Sequence, residues 1–399
     1  MDSPGLQTSI RATYMRGGTS KGVFFCAGDL PADPAARDRL LLRVTGSPDP
    51  YGKQIDGMGG GTSSTSKVII AGRSAREDCD VDFLFGAVSI ADPIIDWSGN
   101  CGNLTSAVGP FAIDRGLVSV AADGMARVRI WQANIGKRII ANVPMRGGRV
   151  VEGGAFELDG VAFPAAEIRI EFLDPAGGTD APVLPTGNAV DLLDVPGVGR
   201  IEATLINAGN PTVIIRAGAI GLEGDEMQAG FNADTGLLAR CEAVRAAGAV
   251  AMGLAESMAQ ATSLRPATPK LAFVAPAKSY KASSGKDVRA ADADITARIL
   301  SMGALHHALT GTGAVALAVA GVLPGTLVHQ IVAGRKDAHK GLLRLAHPSG
   351  VLPVGAQAAE DANGKWSVAR AVVSRTARRL MTGEVFFPMD YLTTEMVEK

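Results

Sequence analysis

Cysteine is scarce in this chain. Cys26, Cys79, Cys101 and Cys241 are the only four in 399 residues, too few and too scattered for a disulfide framework. Net charge is nearly absent as well: 39 Lys and Arg stand against 40 Asp and Glu, which gives no bulk attraction to nucleic acid or to a membrane surface. An anionic ligand must therefore be gripped by local groups. No set of His, Cys, Asp and Glu has metal-ligand spacing, so no metal site is expected. No signal peptide opens the chain, and with so few cysteines the expectation is a reduced, cytoplasmic protein. The stretch 308–328 is almost uncharged and is as long as the roughly 20 residues that cross a bilayer. Thr310, Gly311, Thr312, Gly313, Gly321, Pro324 and Gly325 interrupt it and no basic cluster flanks it, so a helix buried between sheets is expected. What the chain does have is 47% hydrophobic and 20% charged residues, a globular composition at a length that exceeds one core and predicts two domains.

Short β-rich runs such as Val23-Phe24-Phe25, Lys67-Val68-Ile69-Ile70 and Asp82-Phe83-Leu84-Phe85 alternate with glycine turns. Helical periodicity is confined to 34–44, 101–115, 237–258 and 295–322. Strand-rich material fills 127–172, a Pro/Gly/Asp-rich stretch over 174–199 reads as a linker, and a second strand-rich half opens at 201–216. The halves echo each other. Cys101-Gly102-Asn103-Leu104-Thr105-Ser106-Ala107-Val108-Gly109 precedes an apolar helix in the first, and Thr310-Gly311-Thr312-Gly313-Ala314-Val315-Ala316 does so in the second. Two related lobes with opposed helix N-termini could hold a polycarboxylate between unpaired N–H groups.

The segment Ser98-Gly99-Asn100-Cys101-Gly102-Asn103-Leu104-Thr105 predicts a turn that presents an exposed thiol at a helix N-terminus, where the helix dipole stabilises a thiolate and attracts carboxylates. Three further segments supply donors for carboxylates: Arg16-Gly17-Gly18-Thr19-Ser20-Lys21-Gly22, the glycine-rich run ending in Ser64-Thr65-Ser66-Lys67, and Ala282-Ser283-Ser284-Gly285-Lys286. The glycine-rich run lacks the ending of a nucleotide P-loop and the spacing of a dinucleotide fingerprint, which excludes ATP and NAD as cofactors. Lys67 leads into an apolar strand, where loss of water favours a neutral amine able to act as a base; the plain alternative is a lysine reaching out from a strand end. His306 and His307, adjacent on the helix expected over 295–322, point about 100° apart and cannot form a metal pair.

Met15-Arg16-Gly17-Gly18-Thr19-Ser20-Lys21-Gly22, Gly46-Ser47-Pro48-Asp49-Pro50-Tyr51-Gly52-Lys53-Gln54, Ser63-Ser64-Thr65-Ser66-Lys67, Asp96-Trp97-Ser98-Gly99-Asn100-Cys101-Gly102-Asn103, Ala208-Gly209-Asn210-Pro211-Thr212, Ala282-Ser283-Ser284-Gly285-Lys286, Met302-Gly303-Ala304-Leu305-His306-His307, Arg375-Thr376-Ala377-Arg378-Arg379 and Gly383-Glu384-Val385 follow one another along the chain. This series closely resembles the 2-methylaconitate cis-trans isomerase family, the PrpF-like proteins. The resemblance implies an α+β, diaminopimelate-epimerase-like fold: two pseudo-symmetric lobes, each a curved, mostly antiparallel sheet around a central helix, with the active site in the cleft. The expected boundaries are 1–190, completed by the C-terminal segment 383–399, and 191–382. Cofactor-free racemases of that fold set one thiol from each lobe against the substrate carbon. Here Thr310 takes the second cysteine's place, which argues against a two-thiol racemase, and the family pattern pairs Cys101 with Lys67.

The resemblance further implies cofactor-independent isomerisation of an unsaturated tri- or dicarboxylate, with 2-methylaconitate of the 2-methylcitrate route the leading substrate. 4-Oxalomesaconate and methylitaconate are alternatives. A non-catalytic accessory to an iron-sulfur methylcitrate dehydratase is the competing class, and that dehydratase is the expected functional partner; a homodimer is also expected. Lys67 and Cys101 are assigned as catalytic. Arg16, Gly17, Gly18, Thr19, Ser20, Lys21, Ser64, Thr65, Ser66, Asn100, Gly102, Asn103, Ser283, Ser284, Gly285, Lys286, His306 and Thr310 are assigned to substrate binding.

Overall fold

The structure, a computed structural model, describes residues 6–176, 182–334, 342–360 and 366–392. Parts of the expected linker (177–181) and of the expected C-terminal segment (393–399) lie outside the described residues. The chain opens with β1 (Gln7–Gly17), β2 (Ser20–Cys26), α1 (Pro34–Thr45), β3 (Lys67–Arg73), β4 (Val81–Val88), β5 (Ile95–Asp96) and α2 (Thr105–Asp114). It continues through β6 (Gly124–Gln132), β7 (Lys137–Arg146), β8 (Arg149–Val150) and β9 (Ile168–Leu173). The second half brings β10 (Asp191–Val195), β11 (Gly199–Ala208), β12 (Asn210–Arg216), α3 (Gln228–Ala233), α4 (Thr235–Ala251), α5 (Met258–Leu264) and β13 (Lys270–Pro276). After the short hairpin β14 (Tyr280–Lys281) and β15 (Asp287–Val288) come β16 (Ile295–Ser301), β17 (Ala304–Leu305), α6 (Gly311–Val322) and α7 (Leu327–Val332). The last strands are β18 (Leu342–His347), β19 (Gly350–Glu360), β20 (Trp366–Arg375) and β21 (Ala377–Pro388).

Strand pairing shows the two lobes directly. In the first, β21 pairs β1 and β1 pairs β2, both antiparallel; β2 runs parallel to β3, β3 antiparallel to β4, β4 parallel to β6, and β6–β7–β9 are antiparallel. The second repeats the order step for step through β10–β11–β12–β13–β16–β18–β19–β20. An antiparallel β9–β20 pair joins them. The first lobe thus takes its edge strand from the end of the chain.

The central strands β3 and β13 are apolar on both faces because helices cover both. On β3, Ile69 and Ala71 pack with Val108 and Phe111 of α2, whereas Val68 and Ile70 pack with Leu40, Leu41 and Val44 of α1. On β13, Ala272 and Val274 join α6, and Leu271 and Phe273 meet Leu237 and Val244 of α4. The central helices α2 and α6 share one continuous core. Residues Thr105 to Ala112 of α2 and Gly311 to Ala320 of α6 are all buried, so their apolar, small-residue sequences fit a site surrounded by sheet.

Several local expectations are corrected. The range 295–322 is not one helix. Ile295, Ala297 and Ile299 alternate into the core as strand β16, positive φ at Met302 and Gly303 (54° and 73°) turns the chain, and α6 starts only behind the Thr310 cap. The helix of 237–258 begins earlier, where the Asp234 side chain accepts from the Leu237 N–H at 2.9 Å, and it ends at Ala251. The supposed linker contains β10, whose Leu193 and Val195 are buried against the α4 side of the second lobe. Among the described residues no helix is long and apolar enough to cross a membrane.

Candidate active site

The β1–β2 hairpin lies between the lysine strand and the cysteine loop. A Cβ added at Gly17 would stand 2.7 Å from the Asn103 carbonyl oxygen, and one at Gly22 would stand 2.6 Å from that of Lys67. Only glycine permits this approach, which draws the two expected catalytic segments together. At the hairpin tip, Asn103 Nδ2 donates to Thr19 Oγ1 at 3.0 Å, and the Arg375 Nε–H donates to Asn103 Oδ1 at 3.0 Å. Arg16 is tied to the Gly18 carbonyl and to Thr376, at 2.8 to 3.0 Å.

The helix expected from residue 101 starts at Thr105, and Cys101 sits in the turn ahead of it. Its thiol is buried, at 8% exposure, rather than exposed, because Asn100, Gly102 and Asn103 are packed between the lobes. The sulfur accepts the Leu104 N–H at 3.4 Å, the contact that an unpaired donor at a helix start offers to a thiolate. The opposed helix starts do meet. A Cβ on Gly102 would be 2.6 Å from the Thr312 nitrogen, and one on Gly311 would be 2.5 Å from the Gly102 carbonyl carbon. Across this seam, Asn100 N–H donates to Asn210 Oδ1 and Asn210 Nδ2 donates to the Asn100 carbonyl, both at 2.8 Å.

Lys67 is buried (7% exposed), with Nζ 5.0 Å from the Phe85 ring centroid. Three buried polar atoms in the surrounding segments lack partners: Ser20 Oγ, Asn100 Nδ2 and Thr312 Oγ1. Such groups are costly unless a ligand or water satisfies them.

Two cavities flank this centre and share Ser64 and His307 on their walls. The first, about 520 Å³, brings Arg16, Lys21 and Arg378 together against a single acid, Glu152, beside Thr19, Ser20 and Thr65. Burial, then the neighbouring Arg378 charge, lowers the Arg16 pKa, so the cavity has unspent positive charge. The second, about 610 Å³, runs between the lobes and includes His306. Burial, then His307, holds His306 well below the usual imidazole range. Because its Nδ1 accepts the Ala308 N–H at 3.1 Å, the neutral ring carries its proton on Nε2. The two imidazoles lie in a loop and stack, with centroids 4.6 Å apart, instead of diverging on a helix.

Arg16, Gly18, Thr19, Ser20, Lys21, Ser64 and Thr65 therefore gather on one cavity wall, whereas Gly17, Lys67, Asn100, Cys101, Gly102 and Asn103 line neither of the two cavities. Ser66 is engaged structurally, donating to Gln54 Oε1 and the Thr62 carbonyl. Thr310 Oγ1 caps α6 by accepting from Gly313 N–H at 3.2 Å. The Ser283–Lys286 turn is not brought in: Ser283, Ser284, Gly285 and Lys286 are exposed, and Lys286 pairs with Asp159 at 3.2 Å on the wall of another cavity. Ser283 approaches the site only through Ser349, whose hydroxyl donates to the His307 carbonyl. Sequence reasoning missed Lys270, a buried cation whose surroundings depend on long-range strand pairing; Arg375, Arg378 and Asn210 lie within motifs of the family resemblance but were not assigned to the site. Among the described residues, no group of three or more His, Cys, Asp and Glu is placed to hold a metal ion.

The comparisons with known proteins follow the same two-lobed frame. The chain is 56% identical over 392 residues to a 2-methyl-aconitate isomerase of Shewanella oneidensis, covering 96% of this chain and 98% of that one. It is 55% identical over 394 residues to a 2-methyl-aconitate isomerase of Cupriavidus necator, again covering 96% and 98%. The crystal structure of a methylitaconate-delta-isomerase superposes with a TM-score of 0.75 at 37% identity, over 98% of this chain and 99% of that chain. Since the PrpF protein family model matches residues 7–388, from the first strand to the end of the last, the chain belongs to that family.

Proposed function

We propose that this isomerase interconverts the cis and trans forms of 2-methylaconitate by moving an allylic proton. The observation that carries the reading is the burial of Lys67, and of Cys101 next to the seam where two helix N-termini abut, together with a cavity rich in cations and three unpartnered polar groups among the described residues. The substrate named for the Shewanella and Cupriavidus relatives supports the choice of tricarboxylate.

Arg16, Lys21 and Arg378 hold carboxylates, and the substrate's reacting end reaches past Ser64 and Thr65 to Lys67. Neither Lys67 nor Cys101 lines either of these two cavities. The Lys67 amine takes an allylic proton, leaving a carbanion whose charge spreads through the former double bond into the carboxylates. Rotation about the weakened bond follows, and the Lys67 ammonium returns the proton. Ser20, Asn100, Thr312 and the neutral His306 Nε2–H are the donors available to the delocalised anion, where losing one such donor costs about a hundredfold. Cys101 stands near the opposite helix start as orienter or acid. A Cys101 thiolate adding to the alkene and leaving after rotation is the alternative route.

Proton NMR with cis- and trans-2-methylaconitate in D₂O tests this. Interconversion with deuterium entering the allylic positions is expected. Interconversion without deuterium uptake would replace proton transfer by thiol addition, and no interconversion would move the reading to methylitaconate or oxalomesaconate, or to an accessory role.

A further inference from the structure

Arg375, the last residue of β20, is buried, with 1% of its surface exposed. Its Nε–H donates to Asn103 Oδ1 at 3.0 Å and its Nη1–H to the Ser374 carbonyl at 3.1 Å. Both partners are neutral. A guanidinium held this far from water is costly unless some negative charge comes within its influence.

Asn103, equally buried, passes the interaction on. An N–H donor can meet only the amide oxygen, so Arg375 fixes which way the Asn103 side chain lies and turns Nδ2 towards Thr19 Oγ1, 3.0 Å away. Were the amide reversed, its oxygen would take the Thr19 hydroxyl proton. As it stands, that proton has no acceptor among the described residues, and Thr19 stands on the wall of the 520 Å³ cavity beside Arg16, Lys21 and Arg378.

The backbone is shaped around this line of groups. A Cβ on Gly18, where φ is +51°, would stand 2.5 Å from Asn103 Oδ1 and 3.0 Å from Arg375 Cδ. Glycine lets the amide and the arginine stem lie directly under the hairpin tip. The tip is fixed to the same junction, since the Gly18 N–H donates to the Thr376 carbonyl at 2.8 Å, and Ser106 Oγ donates to the Asn103 carbonyl at 2.7 Å.

We propose that Arg375 is a positioning residue for the substrate: by locking Asn103 it keeps the Thr19 hydroxyl proton free to be donated to a carboxylate in the cavity. A threonine hydroxyl rotates and can otherwise offer a proton or a lone pair. The bound carboxylate then ends a chain of hydrogen bonds that begins at a buried cation, and bonds in such a chain polarise one another. The role rests on the reading of this cavity as a carboxylate site.

Tricarballylate, a saturated tricarboxylate with no double bond to isomerise, is the probe, and calorimetry reads its affinity. Thr19→Val and Arg375→Met should each weaken it about tenfold, the scale of a hydrogen bond to a charged group. The double variant should be at most a few-fold weaker than Thr19→Val alone, because both changes remove the same donor. Asn103→Asp keeps Arg375 paired and so tests the idea even if Arg375→Met does not fold. Its carboxylate accepts from Arg375 and from Thr19 alike, so the proton is drawn away from the cavity. Affinity should again fall about tenfold, and most of that loss should vanish when residue 19 is already valine. KM for 2-methylaconitate should follow the same pattern, with kcat changed a few-fold at most.

Losses that multiply in the double variants, normal affinity in Asn103→Asp, or a wild type that does not bind tricarballylate would each overturn the proposal, even if 2-methylaconitate is turned over. The coupled losses without any turnover of 2-methylaconitate would instead remove the substrate assignment and leave the role of Arg375 standing.

Discussion

The two lobes share a strand order and differ at the tips of their central helices. Five residues after β5 stands Cys101, whose sulfur accepts a backbone N–H; five residues after β17 stands Thr310, whose hydroxyl does the same for α6. One position keeps a reactive atom at the helix start and the other an inert cap. A repeated frame can therefore hold its symmetry in the sheets and lose it at two side chains, a thiol at one helix start and a hydroxyl at the other.

The largest break in this comparison comes from Lys67→Ala, for which we expect kcat/KM to fall about a thousandfold or more, in the range for loss of a general base, with circular dichroism unchanged. Activity within a few-fold of wild type would remove Lys67 from the chemistry. Gly311→Ala and Gly102→Ala should both wedge the helix starts apart, costing about 1–3 kcal/mol as overpacking and lowering activity together. A normal melting temperature and rate in either would show that the close approach is dispensable. Arg378→Ala should raise KM by about ten- to a hundredfold, the worth of a hydrogen bond to a charged group, with kcat little changed. A fall in kcat alone would place that arginine at the reacting centre. Thr310→Ala should cost about 1 kcal/mol of stability through the lost cap and leave turnover within a few-fold, the reverse of what Cys101→Ala does if the tips differ as described.

Stability against pH supplies a further test. Lys270 is held at about 7 when folded against about 10.4 when unfolded, so between those values the unfolded chain binds more protons. Its contribution therefore makes the fold more stable as pH rises through that window, and the burden of charging it is complete below about 7. Denaturation midpoints of wild type and Lys270→Met, compared across pH 6.5 to 10, should diverge as pH falls; parallel curves would contradict the shift.

Site features carried by contiguous residues were legible before the structure. Cys101 between Asn100 and Gly102, Lys67 at the head of an apolar run, and the hairpin glycines each announce a local geometry. Lys270 does not, because Pro269-Lys270-Leu271 looks like any strand entry, and its burial is set by partners on β12 and β16 far away in sequence. The run 295–322 misled because a short apolar stretch reads equally as a core helix or a two-sided strand. The Ser283–Lys286 turn has the composition of a binding loop, and it stands exposed at the tip of the β14–β15 hairpin.

The return of β21 to β1 also ties the first described strand to the last. Residues Gln7 to Gly17 have an open strand edge until residues Ala377 to Pro388 pair with them. The sheet of the lobe bearing Cys101 and Lys67 is thus completed only across the whole of the other lobe, since β10 to β20 all lie between β9 and β21 in the chain. A pairing-prone edge on β1 is shielded only when β21 returns to it.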